Sequence, residues 1–132
     1  MQITRATDAA LRVLMVLAGD PGRQVTVRAL ADELSVPRHH LAKVVQALAR
    51  EGWVATTRGR SGGLRITDEG AAVTVGTVVR ALDGIAPVVD CLDPPCPLVT
   101  AGCRLQVALG DAQRAFLATL DEQTISALSG SR

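Results

Sequence analysis

Apolar residues in this chain recur every three to four positions over several stretches, and alternate over one. Between Thr4 and Asp20 the residues Ala6, Ala10, Val13, Leu14 and Leu17 form one stripe, which predicts a helix capped by Thr4. Asp20-Pro21-Gly22-Arg23 is a turn that stops it. Asp8 and Arg12 lie four apart off that stripe, so their side chains can meet. Thr26 is placed to cap a short second helix, Val27 to Glu33, with Ala29, Leu30 and Leu34 facing inward. Leu34-Ser35-Val36 is a tight turn, and Pro37 suits the first turn of a third helix. Leu41, Val44, Val45 and Leu48 form the core stripe of that helix, which Gly52 ends. This is the pattern of a helix-turn-helix.

The period then falls to two. Trp53 to Thr57 and Leu64 to Thr67 read as strands around the glycine-rich tip Arg58-Gly59-Arg60-Ser61-Gly62-Gly63. A hairpin directly after a helix-turn-helix makes a winged helix. Thr74 caps a further helix, Val75 to Leu82, with Val75, Val78, Val79 and Leu82 inward, and Asp83-Gly84 ends it. Arg104 to Leu120 forms the last long helix, with Leu105, Leu109, Ala112, Phe116 and Thr119 as a seam. Val107, Ala108, Ala115 and Leu117 widen its apolar surface, and a second subunit is the expected cover. Gly110 within it can allow close approach. Thr124 caps a tail helix, Ile125 to Leu128.

The fold class is therefore mainly α with a small β-hairpin: a winged helix-turn-helix plus a long C-terminal dimerisation helix. Residues 1–84 form the DNA-binding domain, 85–103 a cysteine loop, and 104–132 the dimerisation helix with a short tail. With 48% hydrophobic but 2% aromatic residues, the core is built from Leu, Val, Ile and Ala. No apolar run approaches a membrane span, and no secretory pattern opens the chain, so a cytoplasmic protein without membrane contact is expected.

Charge changes the picture more than composition does. The formal net charge is +1, but residues 1–66 carry ten Lys/Arg against five Asp/Glu, and residues 67–132 carry four against eight. A basic front half suits nucleic acid. Arg28, and Arg38, His39, His40 and Lys43 on the third helix, are placed to meet base edges and phosphates. Arg58, Arg60, Ser61 and Gly62 give the wing a basic, flexible tip for the minor groove or the backbone. The P-loop lysine pattern is missing. No Ser/His/Asp set and no paired carboxylates in a cleft appear either, so an enzyme is not expected.

Cys91, Cys96 and Cys103 are the three cysteines, spaced C-x4-C-x6-C on a loop stiffened by three prolines. The odd count argues against a disulfide framework. Structural zinc takes four ligands, usually with a C-x2-C knuckle that is absent here. An iron–sulfur cluster with three cysteines and one outside ligand is a third reading, and three small buried hydrophobes a fourth.

Together with those cysteines, Thr4-x-x-Thr7-Asp8-x-Ala10-Leu11-Arg12, Val36-Pro37, Leu41-x-Lys43, Gly59-Arg60-x-Gly62-Gly63 and Thr74-Val75-Gly76 carry a resemblance. The chain resembles the iron–sulfur winged-helix transcription regulators of the NsrR/IscR family, from Met1 to about Leu128. Within that family it looks most like the nitric-oxide-sensing NsrR branch. The resemblance implies a homodimeric, cluster-dependent repressor of a palindromic double-stranded DNA operator. In such a repressor nitric oxide nitrosylates the cluster and operator binding is lost. It implies Cys91, Cys96 and Cys103 as cluster thiolates, Asp8 from the other subunit as the fourth ligand, and Arg12 as its support. The IscR branch has a histidine ligand three residues after the last cysteine; Gln106 stands there. A 4Fe–4S cluster stands ahead of 2Fe–2S. The alternatives are a redox or iron–sulfur-status regulator of the same fold, and a cluster-free or zinc-bound DNA-binding protein.

Overall fold

Threonine opens five of the helices. In the computed structural model, which describes residues 2–60, 62–99 and 102–130, Thr4 caps α1 (Arg5–Ala18) and Thr26 caps α2 (Val27–Leu34). Thr67 caps α4 (Asp68–Ala72), Thr74 caps α5 (Val75–Asp83) and Thr124 caps α7 (Ile125–Ser129). Each hydroxyl accepts from the backbone N–H three residues on, at 3.0–3.2 Å. Such a cap contributes about 1 kcal/mol. The remaining helices are α3 (Arg38–Arg50) and α6 (Arg104–Asp121), which start from Pro37 and Cys103 without a side-chain cap bond.

Helix α1 is the central post. It packs on α2, α3, α4, α5, α7 and the wing. Its fully buried face is Ala10, Val13, Leu14 and Leu17, joined by Thr7. The expected Ala6 is exposed, and Thr7 takes its place one residue on. Helix α2 buries Leu30 and Ala31; Ala29, expected inward, is exposed. In a helix of two turns, Leu30, Ala31 and the half-buried Leu34 share the core face, and Ala29 falls outside it.

The turn between α2 and α3 is closed by Ser35 in the left-handed region at φ 55°. Val36 N–H returns to the carbonyl of Ala31 at 3.0 Å, consistent with a left-handed C-terminal cap. Pro37 caps α3 and does not enter its first turn: its ψ of 134° is extended, and Arg38 is the first helical residue. Leu41, Val44, Val45 and Leu48 are buried as the spacing predicts.

The wing is an antiparallel hairpin of β1 (Val54–Thr57) and β2 (Gly63–Ile66), with Val54 opposite Ile66 and Thr57 opposite Gly63. Val25 adds one rung on the far side, exchanging hydrogen bonds of 3.0 and 2.7 Å with Leu64. Leu64 is thereby fully buried at the wing root. Trp53 lies just before β1, not within it, and Thr67 leaves the sheet to cap α4, a helix the periodicity does not predict. The tip residue Ser61 lies outside the described residues.

Beyond α5 the chain runs through the cysteine loop into α6. Of the 18 residues of α6, Leu117 is its buried one. Helix α6 packs on α5, where Arg80 holds Asp121 through two contacts of 2.6 Å. That hydrogen-bonded pairing lowers the Asp121 carboxyl below its ordinary value. The chain then folds back: Val75 N–H bonds Gln123, Ile125 N–H bonds Val73, and Ile125 is fully buried.

Candidate nucleic-acid interface and cysteine loop

Because α3 buries one stripe, its other faces are free for polar side chains. Arg38, His39, Lys43, Gln46 and Arg50 are exposed along it, and His40 is half-buried. Arg38 lies 3.9 Å from Asp32, with both side chains more than half exposed, so this pair is loose and the guanidinium can turn to another anion. Arg28, Lys43, Arg50, Arg58 and Arg60 make no salt bridge among the described residues. Arg23, by contrast, is spent on Glu33 through contacts of 3.2 and 2.6 Å, and that hydrogen-bonded pairing raises its pKa.

The basic wing tip is shaped by its glycines. Gly59 sits at φ 106°, and Gly62 N–H closes the turn onto its carbonyl at 2.9 Å. A Cβ on Gly62 would stand 2.5 Å from the Thr57 carbonyl, so the tip needs glycine there. Arg58 and Arg60 are exposed on this turn. A positive helix face and a positive loop flank the helix-turn-helix. The arrangement can grip a groove through phosphates and present side chains to base edges.

A second feature adjoins the first. Asp8, on α1, pairs with Arg12 at 3.0 Å, both side chains about half exposed. They line a cleft of about 520 Å³ with Arg5, Leu34, Ser35, Val36, Pro37, His39 and His40. Asp8 thus sits beside the helix-turn-helix turn, and none of the cysteines lines this cleft.

Cys91, Cys96 and Cys103 are each half-buried and free of disulfides. The loop turns on itself: Cys96 N–H bonds Cys91 O at 3.1 Å, and Val99 N–H bonds Cys96 O at 3.0 Å. Among the described residues no three His, Cys, Asp or Glu side chains converge on one point. The spacing places three sulfur donors on one loop but does not bring them together within a single chain. Around them Leu92, Leu98, Leu105 and Val107 stand exposed, Leu92 by 79% and Leu98 by 72%.

A family model, Rrf2, described as an iron-dependent transcriptional regulator, matches residues 3–130. The chain belongs to the Rrf2 family. It is 49% identical over 131 residues to the HTH-type transcriptional repressor NsrR of Streptomyces coelicolor, covering 97% of this chain and 88% of that protein. Two solved structures share the fold. CymR, the global cysteine regulator of B. subtilis, has a TM-score of 0.81 at 22% identity, covering all of this chain and 98% of that one. T. potens IscR has a TM-score of 0.77 at 16% identity, covering 97% and 85%. This Rrf2 protein is a transcriptional repressor and not an enzyme. Among the described residues no helix is long and apolar enough to cross a membrane.

The α3 and wing residues named from the sequence lie exposed, except that His40 and Gly62 are half-buried and Ser61 falls outside the described residues. Sequence reasoning did not single out Asp83. Its only local signal is the Asp-Gly that ends α5, because its partners lie 76 and 79 residues away.

Proposed function

We propose that this Rrf2 protein represses transcription as a homodimer bound to a palindromic DNA operator, and releases it when nitric oxide attacks an iron–sulfur cluster held by its cysteine loop. The observation that carries this reading is the pairing of two features in one chain. Three free thiols sit on a loop between the DNA-binding half and α6, and a half-exposed Asp8 stands beside the helix-turn-helix turn.

The donor set fits such a group: three thiolates are suited to iron–sulfur clusters, and the carboxylate of Asp8 from the second subunit completes four. Ligand loops commonly close on their metal as it binds, in keeping with thiols that do not converge within one chain. When bound, a cluster supplies iron that nitric oxide coordinates strongly, with 4Fe–4S ahead of 2Fe–2S. Arg12 holds Asp8 in place. Arg38, His39, His40 and Lys43 on α3 reach base edges and phosphates, Arg28 on α2 contacts the backbone, and Arg58, Arg60, Ser61 and Gly62 of the wing add further backbone contacts. The outer face of α6 pairs with its copy, which sets the two recognition helices about one turn of DNA apart. In the cell this places the protein with its DNA, in the cytoplasm.

The test is anaerobic reconstitution, followed by gel-shift of loaded and cluster-free protein at one stated salt concentration. The loaded form binds the promoter tightly and the cluster-free form weakly. Nitric oxide titration bleaches the visible absorbance in step with loss of DNA binding. Equal affinities of the two forms refute the reading; a response to reductant but not to nitric oxide favours a redox sensor.

A further inference from the structure

Asp83 is the last residue of α5, and Gly84, at φ 72°, sends the chain into the cysteine loop. The Asp83 carboxylate reaches across to the start of α1. Its Oδ1 accepts from the hydroxyls of Thr4 at 2.6 Å and Thr7 at 2.5 Å, and its Oδ2 from the Thr4 backbone N–H at 3.1 Å. Thr7 is wholly buried, so its hydroxyl needs an internal acceptor. The Thr4 hydroxyl has one proton. The carboxylate takes it, and the 3.2 Å approach of Thr4 to the Thr7 hydroxyl is secondary. Burial pushes the Asp83 carboxyl up, but the bonds from Thr4 and Thr7 outweigh burial and hold it below the usual carboxylate range. An anion is therefore held where the open N–H groups of α1 favour one.

Both ends of this contact matter. On one side is the root of the cysteine loop. On the other is the turn of α1 that carries Asp8, on the helix against which α3 packs. Resting on the function proposed above, we propose that Asp83 is a positioning residue that passes the state of the cysteine loop, through Thr4 and Thr7, to the first turn of α1. A pull on Gly84 draws the carboxylate away from the two hydroxyls. The buried Thr7 hydroxyl then loses its acceptor, and the first turn of α1 shifts or loosens. Asp8 and the cleft wall beside Ser35 and Pro37 move with it.

The test uses the full chain as wild type, Asp83→Asn, Thr7→Val and Thr7→Ser. The first arm needs no cluster. N-ethylmaleimide alkylates the three cysteines of cluster-free protein, and amide hydrogen exchange is followed at residues 5–9. In wild type and Thr7→Ser, alkylation changes exchange there by on the order of tenfold. In Asp83→Asn and Thr7→Val these amides exchange faster from the outset and do not respond to alkylation. Wild type that ignores alkylation, or Asp83→Asn that responds like wild type, overturns the assignment. The second arm compares promoter affinity of loaded and cluster-free forms. The loaded-to-free ratio falls by on the order of tenfold in Thr7→Val and is kept in Thr7→Ser. A lower melting temperature with an unchanged ratio means a purely structural contact and also overturns it. Absence of any ratio in wild type refutes the cluster-dependent function instead, and the exchange arm then decides the role of Asp83.

Discussion

Replacing Gly70 with alanine tests how firmly the wing root is built into the domain. Gly70 is the buried residue of α4, and a Cβ added there would stand 2.0 Å from the Trp53 carbonyl oxygen, against 3.4 Å for an ordinary contact. That oxygen belongs to the backbone and already accepts the Thr67 N–H at 3.1 Å, so it cannot swing aside as a side chain would. Either α4 or the entry to β1 must move, and Trp53, 7% exposed, is packed in the core. Overpacking of this kind costs about 1–3 kcal/mol, and its upper end applies when backbone must shift. Alanine returns about 1 kcal/mol of helix propensity. The net expectation is a loss of about 1–2 kcal/mol, a fall of roughly 3–8 °C in melting temperature for a chain of this size. Gly110→Ala is the internal control. Its nearest neighbour is the Arg114 guanidinium at 3.6 Å, so nothing clashes within the subunit. The same substitution there stabilises the fold by up to about 1 kcal/mol. Thermal unfolding by circular dichroism measures both. Equal shifts of one sign, or a Gly70→Ala protein as stable as wild type, refute the argument that backbone proximity at Trp53 requires glycine.

Arg58→Ala with Arg60→Ala weakens operator and random DNA alike, and lowers the slope of log affinity against log salt by about 1 per arginine, measured by fluorescence anisotropy. The Asp83 carboxyl is held below its ordinary value near 3.8. Its contribution is therefore complete above that value and lost as pH falls through the folded one. Urea midpoints taken from about pH 5 downward fall more for wild type than for Thr7→Val; parallel curves contradict this. Glutamates at Leu105 and Val107, which are 66% and 57% exposed, convert the proposed dimer to monomer in sedimentation while leaving the monomer fold intact.

Much of the fold was legible because a helix announces itself twice, by an apolar stripe and by a capping threonine. Thr4, Thr26, Thr74 and Thr124 were all visible in that way. Helix α4 was not. It is one turn of Asp-Glu-Gly-Ala-Ala, too short for a period, and its central glycine, which reads as a breaker, is there to let two backbones meet. Ala6 and Ala29 were misassigned because alanine carries little information about facing; Thr7 and Ala31 fill those core places. The exposed cations of α3 were legible because the helix must bury one stripe and leave them outside. The Asp83 contact and the Arg80–Asp121 pair were not, since each joins residues more than 40 positions apart through tertiary packing. The cysteine spacing marked three candidate donors, but among the described residues it does not bring them together within one chain.

The exposed side of α6 bears on how such a loop can act at a distance. Half-buried Gln113, Phe116 and Leu120 flank the buried Leu117 on the face toward α5. Ala108 and Ala115 lie exposed on the far side, Ala112 at its edge, and Leu105 is exposed where the Phe116 row runs on toward the start of the helix. Small side chains there let a second helix come close, and helix axes settle nearer when the residues between them are small. If that face holds the partner, the loop runs between two fixed ends. Cys103 stands at the start of α6, and Asp83 is pinned to α1. A loop fixed at both ends cannot close or open without changing the relation between what it joins. On the function proposed above, the separation of the two recognition helices then depends on the state of the three thiols.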